Sequence, residues 1–482
     1  MGAVAVQYFV TFILAVLHFM AGIAIVWPSY GLRMLQAADS PLEYTIKEND
    51  ANLIGSMFML GSLIAGLFVG YISDKIGRKG TGILSGLSFV IAWTIMATAK
   101  SVIQIIIGRL IVGFASGIHM IMGSVFVAEI SQNSLRGTLM TVLTFAFNIG
   151  NLISYIEGWF CSYQIINYAN LSLGIVVLLL LCILKETPAH LMRLGKEKEA
   201  LNSLKFYRGA KTVTQEILDE LYCLRNLQET SNSRNSFGEN YDSAHVKLNE
   251  NDQVTESNLE QNPLKILIAS KSSQRIIITL TLLSVLTVFM GMIGVITYAG
   301  QLFQRAAPDI SPDMCSVIMA AILTISGAVA VVITDLIPRR VLMMVTCAGA
   351  TTCMALLASM LHWSWAPDWG IALMIISFSV CFQIGPANIP YVQVAECIPI
   401  QLKSLASPII FGSIIISNFI ILYLFEPVVK IFGLDGIFCI FAITSTIMVI
   451  ATYLFMRETM KEPLENIQSM FEQGYIYCRR KT

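Results

Sequence analysis

The sequence predicts an all-α membrane protein whose twelve transmembrane helices form two six-helix halves. Three observations lead to this fold class. Of the 482 residues, 55% are hydrophobic and only 13% are charged, whereas soluble domains carry about 25% charged residues. The apolar residues cluster in runs of roughly 20, the length that crosses the hydrocarbon core as a helix. Short charged motifs also recur in both halves of the chain, in the same order.

The apolar runs are predicted to be helices, because lipid offers no partner for a free backbone N–H or C=O. About twelve runs meet the length criterion, at residues 4–27, 51–72, 81–99, 102–125, 138–158, 165–184, 276–303, 313–334, 341–361, 370–392, 404–427 and 434–456. The first run has no basic segment before it and no small-residue cleavage site, so it is predicted to be a retained helix.

The spans divide the chain into four parts. Residues 1–184 form the first six-helix half, and residues 276–456 form the second. Residues 185–275 are predicted to be a cytoplasmic loop with a helical start. Within it, residues 228–262 are rich in Asn, Ser and Glu, and have too little apolar surface to fold, so we expect disorder there. Residues 457–482 form a cytoplasmic tail.

Basic residues favour one side of the predicted bundle. With both termini in the cytoplasm, the short outer loops hold only Arg33, Lys47, Lys100, Arg305 and Lys430, and most other cations lie inside. This is the positive-inside bias. Five tryptophans then fall near outer span ends, where an interfacial belt is expected: Trp27, Trp159, Trp363, Trp365 and Trp369.

Composition argues against several other classes of protein. The formal net charge is zero, which gives no basis for nucleic-acid binding, and the ten cysteines are scattered without a CxxC pair. A metal site or disulfide framework is therefore not expected. The sequence has no nucleophile–base set, metal-ligand cluster or phosphate-binding loop, so we expect no enzymatic activity and no cofactor.

Three charged motifs occur once in each half. GYISDKIGRK at 70–79 matches VVITDLIPRR at 331–340, and VAEISQNSLR at 127–136 matches VAECIPIQLK at 394–403. Lys185–Glu186–Thr187 matches Arg457–Glu458–Thr459. Three matches in order indicate an internal duplication with parallel halves. All lie at inner ends of spans, where charges must pair or stay wet. An alternative is that these cations only anchor helix ends at the interface. That alternative would not explain why acidic residues occur at the same distances from the cations in both halves.

These residues carry a family resemblance that covers nearly the whole chain. The anchors are the loop motif at 74–79, GRLIVGFASG at 108–117, AEISQNSLRG at 128–137, GPANIPYVQVAE at 385–396 and RETMKEPLENI at 457–467. The chain resembles the sugar porters of the major facilitator superfamily, in particular the insect facilitated trehalose transporter-like members. The resemblance implies transport by alternating access, in the plasma membrane, with both termini cytoplasmic.

The resemblance also implies a conformational gate that closes the inner side in the outward-open state. Its residues would be Asp74, Arg78, Glu129, Arg136, Glu186, Asp335, Arg339, Glu396 and Lys403. Arg109, well inside the fourth span, is an intramembrane ionisable group and hence a functional candidate. By the resemblance it is an outer-side charge that acts in outer gating or substrate entry.

The hexose contacts of the family are mostly replaced in this chain. The seventh-span amide positions are Thr287, Val288 and Ile293, the fifth-span Gln is Thr144, and the eighth-span Asn is Leu323. Each buried sugar hydroxyl must recover the hydrogen bonds it made to water. The pose or the substrate must therefore differ from that of a glucose carrier, or the site is no longer selective.

Polar residues at midplane depth are the candidates for a relocated binding site. They are Thr144, Asn148, Gln383, Asn388, Tyr391, Asn418 and Tyr298. Thr144 and Asn148 share a helix face, and Pro386 and Pro390 should break the tenth span and free carbonyls toward a cavity. The alternative for these side chains is hydrogen bonding between helices.

Facilitated diffusion is the favoured transport mode. Proton-coupled relatives carry an Asp in the first span, but this span has no carboxylate and Ala21 falls near the matching position. A proton relay needs a titratable group there. We therefore expect a uniporter for a sugar such as trehalose or a hexose, with the solute and the lipid bilayer as its partners. The alternatives are a facilitator for a polyol or organic ion, and a sensor that no longer transports.

Overall fold

The computed structural model describes residues 3–37, 40–42, 44–132, 135–210, 212–215, 217–225, 270–398, 400–460 and 470–471. Within these ranges it describes the side chains of all residues except 3, 48, 335, 395, 400, 401 and 403–405. The described part of the chain is helical apart from short connections. We call its two ends inner and outer, as the bias of basic residues assigns them.

The helices of the first half follow the predicted spans. They are α1 (Ala3–Val26), α2 (Pro28–Gln36), α3 (Glu48–Ala97), α4 (Val102–Ile130), α5 (Arg136–Phe160) and α6 (Tyr163–Ile183). Two short helices follow on the inner side: α7 (Pro188–Arg193) and α8 (Glu197–Tyr207). Residues 217–225 are helical as well. The predicted disordered stretch, 228–262, lies outside the described residues.

The second half begins at residue 271 and is more interrupted. Its helices are α9 (Lys271–Phe289), α10 (Met292–Thr297), α11 (Ala299–Ala306), α12 (Pro312–Leu336), α13 (Arg339–Trp363), α14 (Asp368–Ile384), α15 (Ile389–Cys397) and α16 (Ile400–Phe455). Ten helical segments of the described chain are long and apolar enough to cross a membrane.

Two of those segments are too long for one crossing. They cover 49 and 50 residues, whereas roughly 20 suffice. α3 contains non-helical backbone at Gly77 (φ 83, ψ 171) and α16 at Gly433 (φ 77, ψ 174). Only glycine adopts such positive φ values without strain. Each glycine therefore reverses the chain between two spans, and dividing both segments brings ten to the twelve predicted.

The seventh and tenth spans are broken. The prediction of one continuous helix over 276–303 is wrong in this respect, because the chain turns at Gly291 (φ 91) and again at Tyr298, separating α9, α10 and α11. The break predicted at the two prolines of the tenth span is confirmed. α14 ends at Ile384 and α15 begins at Ile389.

Close helix packing gives a physical reason for the GRLIVGFASG motif. A Cβ on Gly113 would lie 2.0 Å from the Phe58 carbonyl oxygen, and one on Gly117 would lie 2.8 Å from the Ser62 carbonyl oxygen. Small residues let membrane helices approach closely, so α4 packs directly on the backbone of α3. The two halves meet where α5 packs against α12 and where α3 packs against α16.

Candidate functional site

Two side-chain amides from opposite halves converge on one glycine of the second half. Asn148 lies on α5 and Gln383 on α14, and both face Gly327 on α12. A Cβ built on Gly327 would lie 3.2 Å from Gln383 Nε2 and 3.3 Å from Asn148 Nδ2. Both amides are half-buried, and neither has a hydrogen-bond partner among the described residues. They are thus open to a polar ligand that touches both halves.

The other candidate binding residues differ in availability. Thr144, one turn before Asn148, is exposed, and Asn418 is half-buried. Tyr391 is 51% exposed and stacks on Phe411, with ring centroids 5.5 Å apart. Tyr298 is buried, and its hydroxyl donates to the Leu422 carbonyl at 3.0 Å. In this conformation its hydroxyl is therefore occupied.

Asn388 has a structural task at the break of the tenth span. Pro386 and Pro390 lack an N–H, so the helix cannot run through this segment. The Asn388 side-chain amide donates to the Gln383 carbonyl at 2.8 Å, which satisfies an acceptor at the end of α14. Its contribution to the site is therefore to shape the backbone that carries Gln383.

The inner end of the first half holds a network of charges around Arg78. The Arg78 guanidinium donates to Glu129 at 3.1 Å and to Asp74 at 3.1 Å. Glu186 accepts the backbone N–H groups of Arg78 at 2.8 Å and of Lys79 at 3.1 Å. These N–H groups open a helix just after Gly77, where a carboxylate is favoured by unpaired donors and by the helix dipole.

The second half repeats this arrangement with its own residues. Arg339 donates to Glu396 at 3.4 Å. Glu458 accepts the backbone N–H groups of Arg339 at 3.0 Å and of Arg340 at 3.1 Å. Thr459 donates to Glu396 at 2.6 Å, as Thr187 does to Glu129 at 2.5 Å. The duplicated motifs thus build duplicated contacts.

The structure brings together most of the predicted gate residues, but within each half. Asp74, Arg78, Glu129 and Glu186 form one group, and Arg339 and Glu396 belong to the other. Arg136 is exposed, and the described part of the chain shows no ion pair to it. The side chains of Asp335 and Lys403 lie outside the description. Closure of the inner side by these residues stays a prediction for the outward-open conformation.

Contacts between the halves concentrate at the outer end. Arg33 on α2 forms an ion pair with Asp313 on α12. The Gly300 N–H donates to Ser29 Oγ at 2.8 Å, and the Tyr155 hydroxyl donates to the Ile296 carbonyl at 2.7 Å. The conformation is therefore closed on the outer side. Sequence reasoning treated Arg33 only as an outer-loop cation, because its partner lies 280 residues away.

Arg109 is fully buried, near the end of the bundle that the bias of basic residues assigns as outer. Its guanidinium donates to the Ile54 carbonyl at 3.2 Å and to the Ala24 carbonyl. It also lies over the rings of Trp27 (5.6 Å) and Phe58 (5.1 Å).

Trp27 is completely buried, so the prediction that it belongs to an interfacial belt is wrong. The other four belt candidates are 40–70% exposed.

His190 is a member of the inner network that sequence reasoning missed. It is 4% exposed, and its Nδ1 lies 3.2 Å from Arg78 Nη1. Since Arg78 can only donate, His190 Nδ1 must accept, so the ring is neutral. The repeated Glu–Thr pairs at 186–187 and 458–459 were a usable signal for Thr187, Glu458 and Thr459. His190 has no histidine counterpart in the second half, so the internal repeat gave no signal for it.

Acidification is expected to loosen this network. Burial holds the pKa of the His190 imidazole below its usual value, against the opposing attraction of Glu186. The unfolded chain therefore takes up this proton more readily, and stability falls as pH drops through about 6.5. Between pH 7.5 and 5.5 the melting temperature should fall about 2 °C more in the wild type than in His190→Asn, whose amide oxygen accepts without titrating. Equal pH profiles would remove His190 from the network.

Comparison with known proteins decides the family. A model of the family described as "Sugar (and other) transporter" matches residues 10–471. The chain belongs to this family. Its members are transporters, so this protein is a membrane transporter and not an enzyme. The described residues contain no group of three or more His, Cys, Asp and Glu side chains that could hold a metal ion.

Individual members of the sugar transporter family are similar along most of the chain. The facilitated trehalose transporter Tret1-2 homolog of Drosophila sechellia is 24% identical over 435 residues, covering 88% of this chain and 83% of that protein. The facilitated trehalose transporter Tret1 of Apis mellifera ligustica is 25% identical over 429 residues, covering 87% of this chain and 79% of that protein.

A solved structure confirms the predicted fold. The inward open conformation of the xylose transporter XylE from E. coli superposes with a TM-score of 0.75 at 17% sequence identity, covering 96% of this chain and 99% of that chain. This sugar transporter therefore has the major facilitator fold that the family resemblance implied.

Proposed function

We propose that this sugar transporter is a facilitative uniporter for a neutral saccharide, which binds between Asn148 and Gln383. The observation that carries the proposal is the pair of unoccupied amides at Gly327, one from each half. A saccharide hydroxyl both donates and accepts, and a side-chain amide offers the complementary NH₂ and C=O groups. A solute held by both halves can be passed from one side to the other as the halves rock.

Two observations bear on the size of the solute: the descriptions of the similar insect proteins, and the replacement of the family's hexose-binding residues in this chain. The similar insect proteins are described as facilitated trehalose transporters, which makes a disaccharide the first solute to test. Thr287 is buried and its hydroxyl donates to the Leu283 carbonyl within its own helix. The seventh span therefore gives a sugar fewer contacts here, and the proposed site depends on α5 and α14 instead.

The surroundings of Arg109 support transport without proton coupling. Its hydrogen bonds go to backbone carbonyls, and the described residues supply no carboxylate partner for it. The first span contributes no acid either. Carbonyls do not titrate, so protonation cannot release this arginine. By the positive-inside bias we place both termini in the cytoplasm, and by family resemblance we place the protein in the plasma membrane.

Uptake into proteoliposomes tests the proposal. Labelled trehalose, glucose and a polyol are offered separately, with and without an inward proton gradient. The expected result is saturable saccharide uptake whose initial rate changes less than about twofold with the gradient, since the first span holds no carboxylate that could carry a proton. Gradient-driven accumulation would refute uniport. Flux of the polyol alone, or binding of saccharide without flux, would refute saccharide transport.

A further inference from the structure

The outer closure depends mainly on one short helix. α2 supplies Ser29 to the Gly300 N–H, Arg33 to the ion pair with Asp313, and Gln36 to Gln301 at 3.4 Å. A Cβ on Gly300 would lie only 2.6 Å from the Ser29 carbonyl oxygen, so α2 and α11 are in direct backbone contact. The angle at which α2 leaves α1 therefore decides whether these contacts can form.

That angle is set at a proline kink. Pro28 begins α2 directly after Trp27, whose backbone remains helical (φ −44, ψ −39). Within a continuous helix, proline lacks the N–H that would bond to the carbonyl four residues earlier, and its ring presses against that carbonyl. Here that carbonyl belongs to Ala24. In a membrane, a carbonyl freed in this way has to find another donor.

Arg109 supplies that donor. Its Nη1 bonds to the Ala24 carbonyl, and its Nε bonds to the Ile54 carbonyl at 3.2 Å. One side chain on α4 thus ties the kink in the first span to the start of the second. The rings of Trp27 and Phe58 lie against the guanidinium, and such cation–π contacts partly compensate its burial.

From this geometry we infer that Arg109 is a positioning residue for the outer gate. It replaces the helix hydrogen bond that Pro28 removes, and so holds α2 at the angle at which its side chains reach α11 and α12. The charge of Arg109 then matters less than its two donated hydrogen bonds. Removal of the two hydrogen bonds that Arg109 donates should open the outer side without any change in the solute site.

The sequence offers a direct test, because Pro28→Ala restores the missing N–H. Gln301→Cys, at a position that is 6% exposed in the closed form, reports opening through its reaction with an impermeant maleimide. Every variant carries it together with Cys161→Ser, so the loss of the Gln301 contact with Gln36 is the same in all of them. Arg109→Met should raise the labelling rate by about fivefold or more, the effect of losing roughly 1 kcal/mol of closure. Adding Pro28→Ala to Arg109→Met should bring the rate back to within about twofold of the starting protein.

A second intrahelical proline provides the matched control. Pro427 lies inside α16, so Pro427→Ala removes the same ring from another helix and should leave the labelling of Arg109→Met unchanged. Rescue by both alanines, or by neither, would overturn the inference. Should Arg109→Met fail to fold, Arg109→Lys is used, because one ammonium group cannot span both carbonyls. A lysine variant that labels like the starting protein would show that only the charge is needed.

The labelling experiment needs no transported solute. Its result is therefore independent of whether the proposed saccharide is correct.

Discussion

Replacing Gly327 by valine should nearly abolish solute uptake in a protein that still folds. The new Cβ would lie 3.2 and 3.3 Å from the amide nitrogens of Gln383 and Asn148, and the γ-methyl groups would extend into the space between them. A solute that can no longer reach the two amides leaves them unpaired at a cost of about 1–3 kcal/mol, which corresponds to roughly 5- to 150-fold in affinity. Initial uptake rates over a range of solute concentrations measure the loss.

A matched glycine separates blocking of the site from a general effect of valine in a membrane helix. Gly70 has no heavy atom within 4 Å of its would-be Cβ. Gly70 is exposed, and Leu67, one turn earlier on the same helix face, is 72% exposed. Gly70→Val should keep uptake within about twofold of wild type, because surface substitutions that touch no packed side chain usually have little effect. Similar uptake by the Gly327 and Gly70 variants would place the solute elsewhere.

Arg78→Leu should be among the most damaging single changes at the inner end. The Arg78 side chain is 5% exposed, and its guanidinium contacts Glu129, Asp74 and His190. Removing one member of a buried pair costs about 3–5 kcal/mol, because the other charge stays buried without its partner. We expect a melting temperature lower by about 5 °C or more, together with a loss of uptake.

Arg193 is the control for this change, because it pairs with the same Asp74 carboxylate at 3.2 Å while its side chain is 55% exposed. Exposed ion pairs contribute about 0–1 kcal/mol, so Arg193→Leu should melt within about 2 °C of wild type. If the two leucine variants behaved alike, the inner network would have no special role and Arg78 would be an ordinary helix-end cation.

The sequence predicted what depends on repetition and on hydropathy. Runs of about 20 apolar residues marked the spans, and the two copies of Glu–Thr after the sixth and twelfth spans lie where they complete matching networks. The breaks in the seventh span were missed, because nothing in the sequence distinguishes Gly291, which has a positive φ of 91, from the many glycines that lie inside continuous helices.

Pairings across long stretches of chain could not be predicted from one sequence. A proline at position 28 implies that the Ala24 carbonyl loses its helical hydrogen bond. The sequence does not indicate that Arg109 donates to this carbonyl, because Ala24 and Arg109 are 85 residues apart. The two amides likewise meet at Gly327 only because α5 and α14 both pack against α12. Among the candidate binding residues, sequence alone could not separate Asn148 from Tyr298, whose hydroxyl is already bonded to a backbone carbonyl.

The helix that starts at Arg78 has its first N–H groups capped by Glu186, more than a hundred residues later. During synthesis the ribosome must therefore translate the third to sixth spans before this helix end acquires its carboxylate. The corresponding end at Arg339 waits for Glu458, which follows the last span. In each half this carboxylate therefore becomes available only after all six spans have been translated.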